Sequence, residues 1–484
     1  MALRCILFLS LFVLLAGVAH GTVWTPTDTA DGISGRCGAD CTLRDAVRAA
    51  NRRPGADVVV LGEGTYFLTL GGRGEDQAAT GDLDLSDDLT IIGAGADRTR
   101  IDGRGLDRLF DLRGAVRLEL VAVRLENGDS GSHSGGAVRA LDNDSTVVLD
   151  RSVIADSQAL ADHALGGAIY SQGAVEITYS SLIRNQAGSS GGAVAGSGSL
   201  QVAGSTFSEN NAEYEYGGGL YVASGGDLDL RHSTLHANRA MKVGGGVYVH
   251  GLASARVQAS ILARNLTWAG GTDCYGQVES AGFNLVGQGG GCQGVVAGVA
   301  GDLVGGATIL EPELGPLALN GGGTPTHSLL PSSPARDAVA AVACAEMDQR
   351  GERRGSGDGC DIGAFEVTGG CVPSASTLCL LDGRFRVTLG WREGTELRSA
   401  QAVNWTADTG YFWFFDGKNV EVVVKAIDGC STVGGSWVFA SGLTNRGVEL
   451  TVEDLSTGRS RVYRQDEGPA FTAIQDTSTF DLCP

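Results

Sequence analysis

Gly191-Gly192-Ala193-Val194, then Leu200-Gln201-Val202, then Ser205-Thr206-Phe207-Ser208-Glu209-Asn210 is the stretch that decides the fold. Each of its three elements recurs. The glycine pair, a small residue and an aliphatic one also occur at Gly135-Gly136-Ala137-Val138, Gly166-Gly167-Ala168-Ile169, Gly217-Gly218-Gly219-Leu220 and Gly244-Gly245-Gly246-Val247. The first glycines are 31, 25, 26 and 27 residues apart. The serine-to-asparagine element returns at Ser180–Asn185, Ser233–Asn238 and Ser260–Asn265, with Ser152–Ser157 carrying serine in the last place. Ahead of each serine runs an alternating segment: Val147/Leu149, Val175/Ile177, Leu200/Val202, Leu228/Leu230 and Ala255/Val257. Alternation puts one set of side chains inward and the other outward, as in a strand.

Each repeat thus holds about three short strands and no helical period. Such a unit cannot bury its inner face alone; stacking copies does it. The pattern predicts a right-handed parallel β-helix, with glycines at corners where φ is positive or backbones approach closely. Asn185, Asn210, Asn238 and Asn265 fit a side-chain ladder that bonds turn backbone, rather than ligand contacts. A leucine-rich repeat needs a shorter period and a regular leucine ladder, and a propeller needs about four strands per ~40 residues; neither pattern is present.

The ends read differently. Met1 to Gly21 has Arg4, an apolar run from Cys5 to Val18 and small residues near Gly21, which predicts a signal peptide cleaved after Gly21. The apolar run is too short to span a bilayer, and no later one approaches ~20 residues. Residues 22–56 are expected to cap the open solenoid end. Thr42-Leu43-Arg44-Asp45 resembles a capping box, and Leu43, Ala46, Val47 and Ala50 share a helical face. The β-helix is expected over 57–367. From Cys371 to the end, strand-like runs and four tryptophans (Trp391, Trp405, Trp413, Trp437) predict a small β-sandwich. The tryptophans read as core packing before they read as a carbohydrate platform. Ten cysteines remain after the leader, an even number that suits disulfides in an exported chain. Neighbours in sequence suggest Cys37–Cys41, Cys274–Cys292 and Cys344–Cys360, with Cys371, Cys379, Cys430 and Cys483 pairing inside the last domain.

Cys41-Thr42-Leu43-Arg44-Asp45-Ala46 resembles the CSLREA motif of exported bacterial β-helix proteins, with Thr and Asp replacing its Ser and Glu. Gly81-Asp82-Leu83-Asp84-Leu85 and Ile101-Asp102-Gly103 resemble that family's first coils. Cys360-Asp361-Ile362-Gly363-Ala364-Phe365-Glu366 resembles the end of the choice-of-anchor Q region, as do Leu314–Leu317, Asn320-Gly321-Gly322 and Pro325-Thr326-His327. The resemblance covers about 22–367. It implies export and a pectate-lyase-like solenoid, not a reaction.

The formal charge of −20 excludes a polyanion such as nucleic acid, or an anionic membrane surface, as an expected partner. A lyase would need a base, and Arg239 with Lys242, near His236, is the best basic group. A glycoside hydrolase would need paired carboxylates; the candidates are Asp82, Asp84, Asp87 and Asp88, of which Asp82 and Asp84 share a strand face, or Glu209, Glu213 and Glu215. Glu209, Glu213 and Glu215 are candidates to hold calcium, the one cofactor considered. No nucleophile motif, P-loop or dinucleotide fingerprint occurs. The reading that results is a secreted or cell-surface monomer that binds glycans or other surface partners without catalysis. The alternative is a polysaccharide lyase or glycoside hydrolase, which rests on fold analogy.

Overall fold

The computed structural model describes residues 21–268, 273–330, 332–355, 359–367, 371, 373–381, 383–394, 396–430, 434–455 and 459–480. One coil shows how the repeat folds. Ile169–Ser171 is followed by Ala174–Thr178, Ser181–Ile183 and the two-residue Gln186–Ala187. The next coil repeats the order with Val194–Gly196, Ser199–Ala203, Thr206–Ser208 and Asn211–Ala212. Equivalent strands pair in parallel, so the coils build a β-solenoid with four sheets. Sheet A contains Ala174–Thr178 and has ten strands; sheet B contains Ser181–Ile183 and has ten; sheet C contains Ile169–Ser171 and has nine; sheet D is a narrow stack of five. In sheet A the register sets Val175 beside Leu200 and Ile177 beside Val202, all buried in the central core.

The repeat residues divide the work at the corners. The first glycine of each pair has φ between +64° and +74°. The second is needed for close approach: a Cβ on Gly136, Gly167 or Gly192 would lie 2.1–2.2 Å from a carbonyl oxygen of the next coil. The asparagines form the expected ladder. Asn185, Asn210 and Asn238 each donate from Nδ2 to the Oδ1 of the next asparagine, and each Oδ1 also accepts the backbone N–H of the previous coil's residue. A serine ladder runs beside it: Ser152, Ser180, Ser205 and Ser233 each donate their backbone N–H to the next serine's Oγ. These bonds hold non-glycine residues such as Arg184, Glu209 and Arg264 at φ of +53° to +59°.

The N-terminal end is closed by the helix Leu43–Ala50, whose Thr42 side chain accepts the Asp45 N–H. Arg44, fully buried, pairs with Asp31 at 2.7 Å and donates to the carbonyls of Gly81 and Asp82. The solenoid strands end at Leu303–Val304. The chain beyond adds no coil. The described residues of 310–367 form two antiparallel pairs, Leu314–Ala318 with Thr326–Leu329 and Val339–Ala340 with Gly359–Cys360, and lie as a strap over the outer face of sheet B. Gln349 bonds Ser181 and Thr206, His327 bonds Ser208, and the Ala364 N–H bonds Thr234. Inside the strap, buried Arg354 pairs with Glu366 and donates to the Gly363 carbonyl, so the Asp361–Glu366 stretch is an internal ionic tie. From Val153–Ala155 to Ile261–Ala263 sheet B is therefore covered on both sides, while its first strands and sheets A, C and D keep outer faces.

Residues from Cys371 onward form two antiparallel five-stranded sheets over one core that includes Leu378, Phe385, Phe412, Val424 and Val438. The cysteines pair as Cys37–Cys41, Cys274–Cys292, Cys344–Cys360 and Cys371–Cys379. Cys430 is also disulfide-bonded, and Cys483 lies outside the described residues, as do residues 1–20, on which the expected signal peptide falls.

Candidate functional site

Two places gather chemistry-bearing side chains on the solenoid. The first holds the carboxylates singled out from the sequence. Asp84 sits mid-strand in Leu83–Leu85 of sheet C, in register with Asp111 and, one coil on, Arg139. One oxygen from each of Asp76, Asp84 and Asp111 lies within 4.8 Å of the others. Two of the three carboxylates are already paired, however. Arg139 grips Asp111 with two bonds of 2.8 and 2.5 Å, and Arg113 bridges Asp111 to Asp76 at 3.0 and 2.6 Å. Asp82 is paired to Arg108 at 2.5 Å. Asp82 and Asp84 are 3% and 2% exposed, so they are not the outward carboxylate pair that a hydrolase would offer to a sugar. Burial raises both, Asp82 to about 6 and Asp84 to about 7; neighbouring Asp111 adds to each. Asp87 and Asp88 accept the Gly55 and Arg117 N–H groups. Arg113 and Arg139 thus neutralise Asp76 and Asp111, while among the described residues Asp84 accepts only the Ala78 N–H and its other oxygen is buried without a hydrogen-bond partner.

The second place is the outer surface of sheet D. The basic group expected from Arg239, Lys242 and His236 does not assemble there as one unit. His236 belongs to sheet B and packs under the strap, 4.5 Å from the His327 ring. Arg239 and Lys242 remain outside. The three glutamates also separate: Glu209 precedes the Asn210 turn, Glu215 pairs with Lys242 at 2.5 Å, and Glu213 points to the sheet D surface. Among the described residues they form no cation-holding group.

What does assemble is a groove of about 520 Å³, lined by Asn211, Glu213, Tyr214, Arg239, Met241, Leu266 and Trp268. The short strands Asn211–Ala212, Arg239–Ala240 and Leu266–Thr267 bring these together by stacking three coils in register. The alanines at the second position of the first two strands face inward, and the first positions face out. Four large apolar side chains are left in water: Trp268 is 85% exposed, Tyr214 and Leu266 50%, and Met241 43%. A cluster of this kind on one surface marks a contact site more often than scattered single residues do. Arg239 and Glu213 make no ion pair among the described residues, so their polar atoms are available beside the rings. Around the corner, Tyr216 stacks on Tyr248 at 4.5 Å, and Tyr248 lies between Tyr221 and Tyr275 at 5.4 and 5.7 Å. The last three stack with interplanar angles of 12° and 5°, so they cover one another's faces. Lys242 sits 4.9 Å over Tyr216.

The tryptophans of the last domain split. Trp391 is buried against Phe414 at 5.1 Å, Trp437 meets Phe439 edge-on at 6.4 Å, and Trp405 is 71% exposed on a turn. Sequence reasoning missed the groove because Tyr214, Met241 and Trp268 do not repeat with the coil. It also missed Asp273 and Asp302. Their carboxylates accept from Asn265 and Asn284 and terminate the two ladders. Among the described residues no helix is long and apolar enough to cross a membrane. Comparison with protein-family models, with curated proteins and with solved structures returns no match for this chain.

Proposed function

We propose that this chain is an exported, non-enzymatic binding protein that takes a saccharide of a polysaccharide or surface glycan in the sheet D groove. The observation that carries the reading is the convergence of Trp268, Tyr214, Met241 and Leu266 with the side chains of Asn211, Glu213 and Arg239. A sugar ring has an apolar face and a polar rim. Trp268 offers the apolar partner, and the amide, carboxylate and guanidinium offer donors and acceptors to the hydroxyls. Export rests on the leader-like residues 1–21, the resemblance to exported β-helix proteins and the disulfides. The lyase or hydrolase reading has less support, because Asp82 and Asp84 lie buried among arginines.

A glycan array probed with the full chain, followed by turnover assays on every binder, tests the reading. Binding without product release is expected, and Trp268→Ala is expected to weaken binding about tenfold or more while leaving stability within ~0.5 kcal/mol. Product release from a binder, or undiminished binding by Trp268→Ala, would contradict it.

A further inference from the structure

The last domain carries a second recess, unrelated to the saccharide groove. Its volume is about 630 Å³, within the range of small-ligand pockets. It opens between the chain after Thr409–Trp413, the turn after Ser436–Gly442 and the turn after Arg459–Gln465. Its apolar walls are Phe415, Phe471 and Leu443. Phe415 is 56% and Leu443 83% exposed, unusual for side chains so large. The polar lining is uneven. Glu421 is only 6% exposed, and among the described residues its carboxylate makes no ion pair; its partner is the Asn419 amide, 2.5 Å away. The other charged lining residue, Arg446, is committed outward to Glu467 at 2.9 Å, with its guanidinium 5.8 Å from the Phe415 ring.

A carboxylate largely withdrawn from water is costly without a cation, and where it borders a pocket a cationic ligand entering there would supply the missing charge. Two phenylalanine rings beside it favour the same kind of ligand, because their faces attract cations. Phe415 already attracts one guanidinium from within the chain. We propose that this recess binds a lysine or arginine side chain of a partner polypeptide. The cationic head would lie against Glu421 and the aliphatic stem along Phe415, Phe471 and Leu443. The charge of −20 on the whole chain favours the approach of such a partner.

The test uses the full chain and dye-labelled Gly/Ser peptides bearing a single lysine, arginine, Nε-acetyl-lysine or glutamate, followed by fluorescence anisotropy. The lysine and arginine peptides are expected to bind, with acetylation weakening binding about tenfold or more. Glu421→Gln keeps the size and the bond to Asn419 while removing the charge, and is expected to give the same loss with an unchanged melting temperature. Phe415→Leu is expected to weaken binding severalfold and to rank the peptides as before. Equal binding of the lysine and acetyl-lysine peptides, full binding by Glu421→Gln, or no binding of the cationic peptides at millimolar concentration would each overturn the proposal. Loss of saccharide binding by Trp268→Ala leaves these outcomes unaffected, so the two proposals fail separately.

Discussion

Lowering the pH from 7.5 to 5 is expected to loosen the strap over sheet B while tightening the loop over the first coils. Under the strap, His232 donates from Nε2 to the Ala343 carbonyl at 3.0 Å, and its buried Nδ1 has no partner among the described residues. Burial, assisted by Arg354 and Arg231, holds His232 down at about 4. His236 is held at about 3 by burial, His327 and Arg264. His327 is lowered by burial against the opposing pull of the Gly315 carbonyl and Glu209. For a histidine whose folded value lies below the unfolded ~6.5, the unfolded chain binds more protons. Stability therefore falls as the pH drops below 6.5 and continues to fall until the folded value is reached. At pH 5, His232 alone costs about 2 kcal/mol by this linkage. Asp84 works in the opposite sense. Burial raises its folded value to about 7, so the folded state holds a proton that the unfolded state has lost, and stability rises as the pH falls from 7 toward 4. The gain between pH 7.5 and 5 is also about 2 kcal/mol. The loop it touches is tied by the Ala78 N–H to Asp84 and by Arg113 to Asp76. Hydrogen exchange with mass spectrometry, corrected for the intrinsic rate, resolves local openings of this size. Peptides covering 325–329 and 343–349 should lose protection at pH 5, and those covering 76–85 should gain it. His232→Phe should blunt the first change and Asp84→Asn the second. Changes in the same direction at both sites, or an unmoved strap, would refute the reasoning.

The ladder and the corners give sharper perturbations. Asn238→Ala removes four side-chain bonds in the middle of the stack and leaves the Asn210 N–H unpaired; a loss of about 3 kcal/mol is expected by chemical denaturation. Gly192→Ala forces a Cβ to within 2.2 Å of the Gly218 carbonyl, and should lower the melting temperature more than Gly225→Ala, where the added atom meets open space but φ is +85°. Asp273→Asn keeps an oxygen for Asn265 but sets an amide nitrogen against the Gln288 N–H or the ladder, and should destabilise by about 1–3 kcal/mol with saccharide affinity unchanged, read by denaturation and titration.

The solenoid was legible because stacking writes itself into sequence. The glycine pairs, the inward aliphatics and the ladder residues all repeat every coil, since each faces its own copy above and below. The N-terminal helix was legible through Thr42 and the spacing of Leu43, Ala46, Val47 and Ala50. The strap was not. Its residues answer to sheet B across gaps of more than a hundred positions, as Gln349 answers to Ser181 and Thr206, and no period marks such pairings. Their effect on exposure was hidden as well: Ser181, Thr206, Ser208 and Thr234 occupy outward strand positions and are nonetheless buried. Asp82 and Asp84 misled for a related reason. Their spacing resembles a carboxylate pair, and only the fold shows Arg108, Arg113 and Arg139 arriving from later coils. The groove on sheet D depends on Tyr214, Met241 and Trp268, which depart from the repeat and meet only when three coils are stacked.

The proposal of a saccharide site on sheet D is tested most directly by methionine methyl NMR. The chain has three methionines, and Met241 lines the groove while Met347 lies in the strap. With 13C-methyl-labelled methionine, titration of a saccharide that scores on the array should shift the Met241 methyl resonance in proportion to occupancy and leave that of Met347 in place. Binding that leaves Met241 unmoved, or moves Met347 instead, would contradict a site on sheet D.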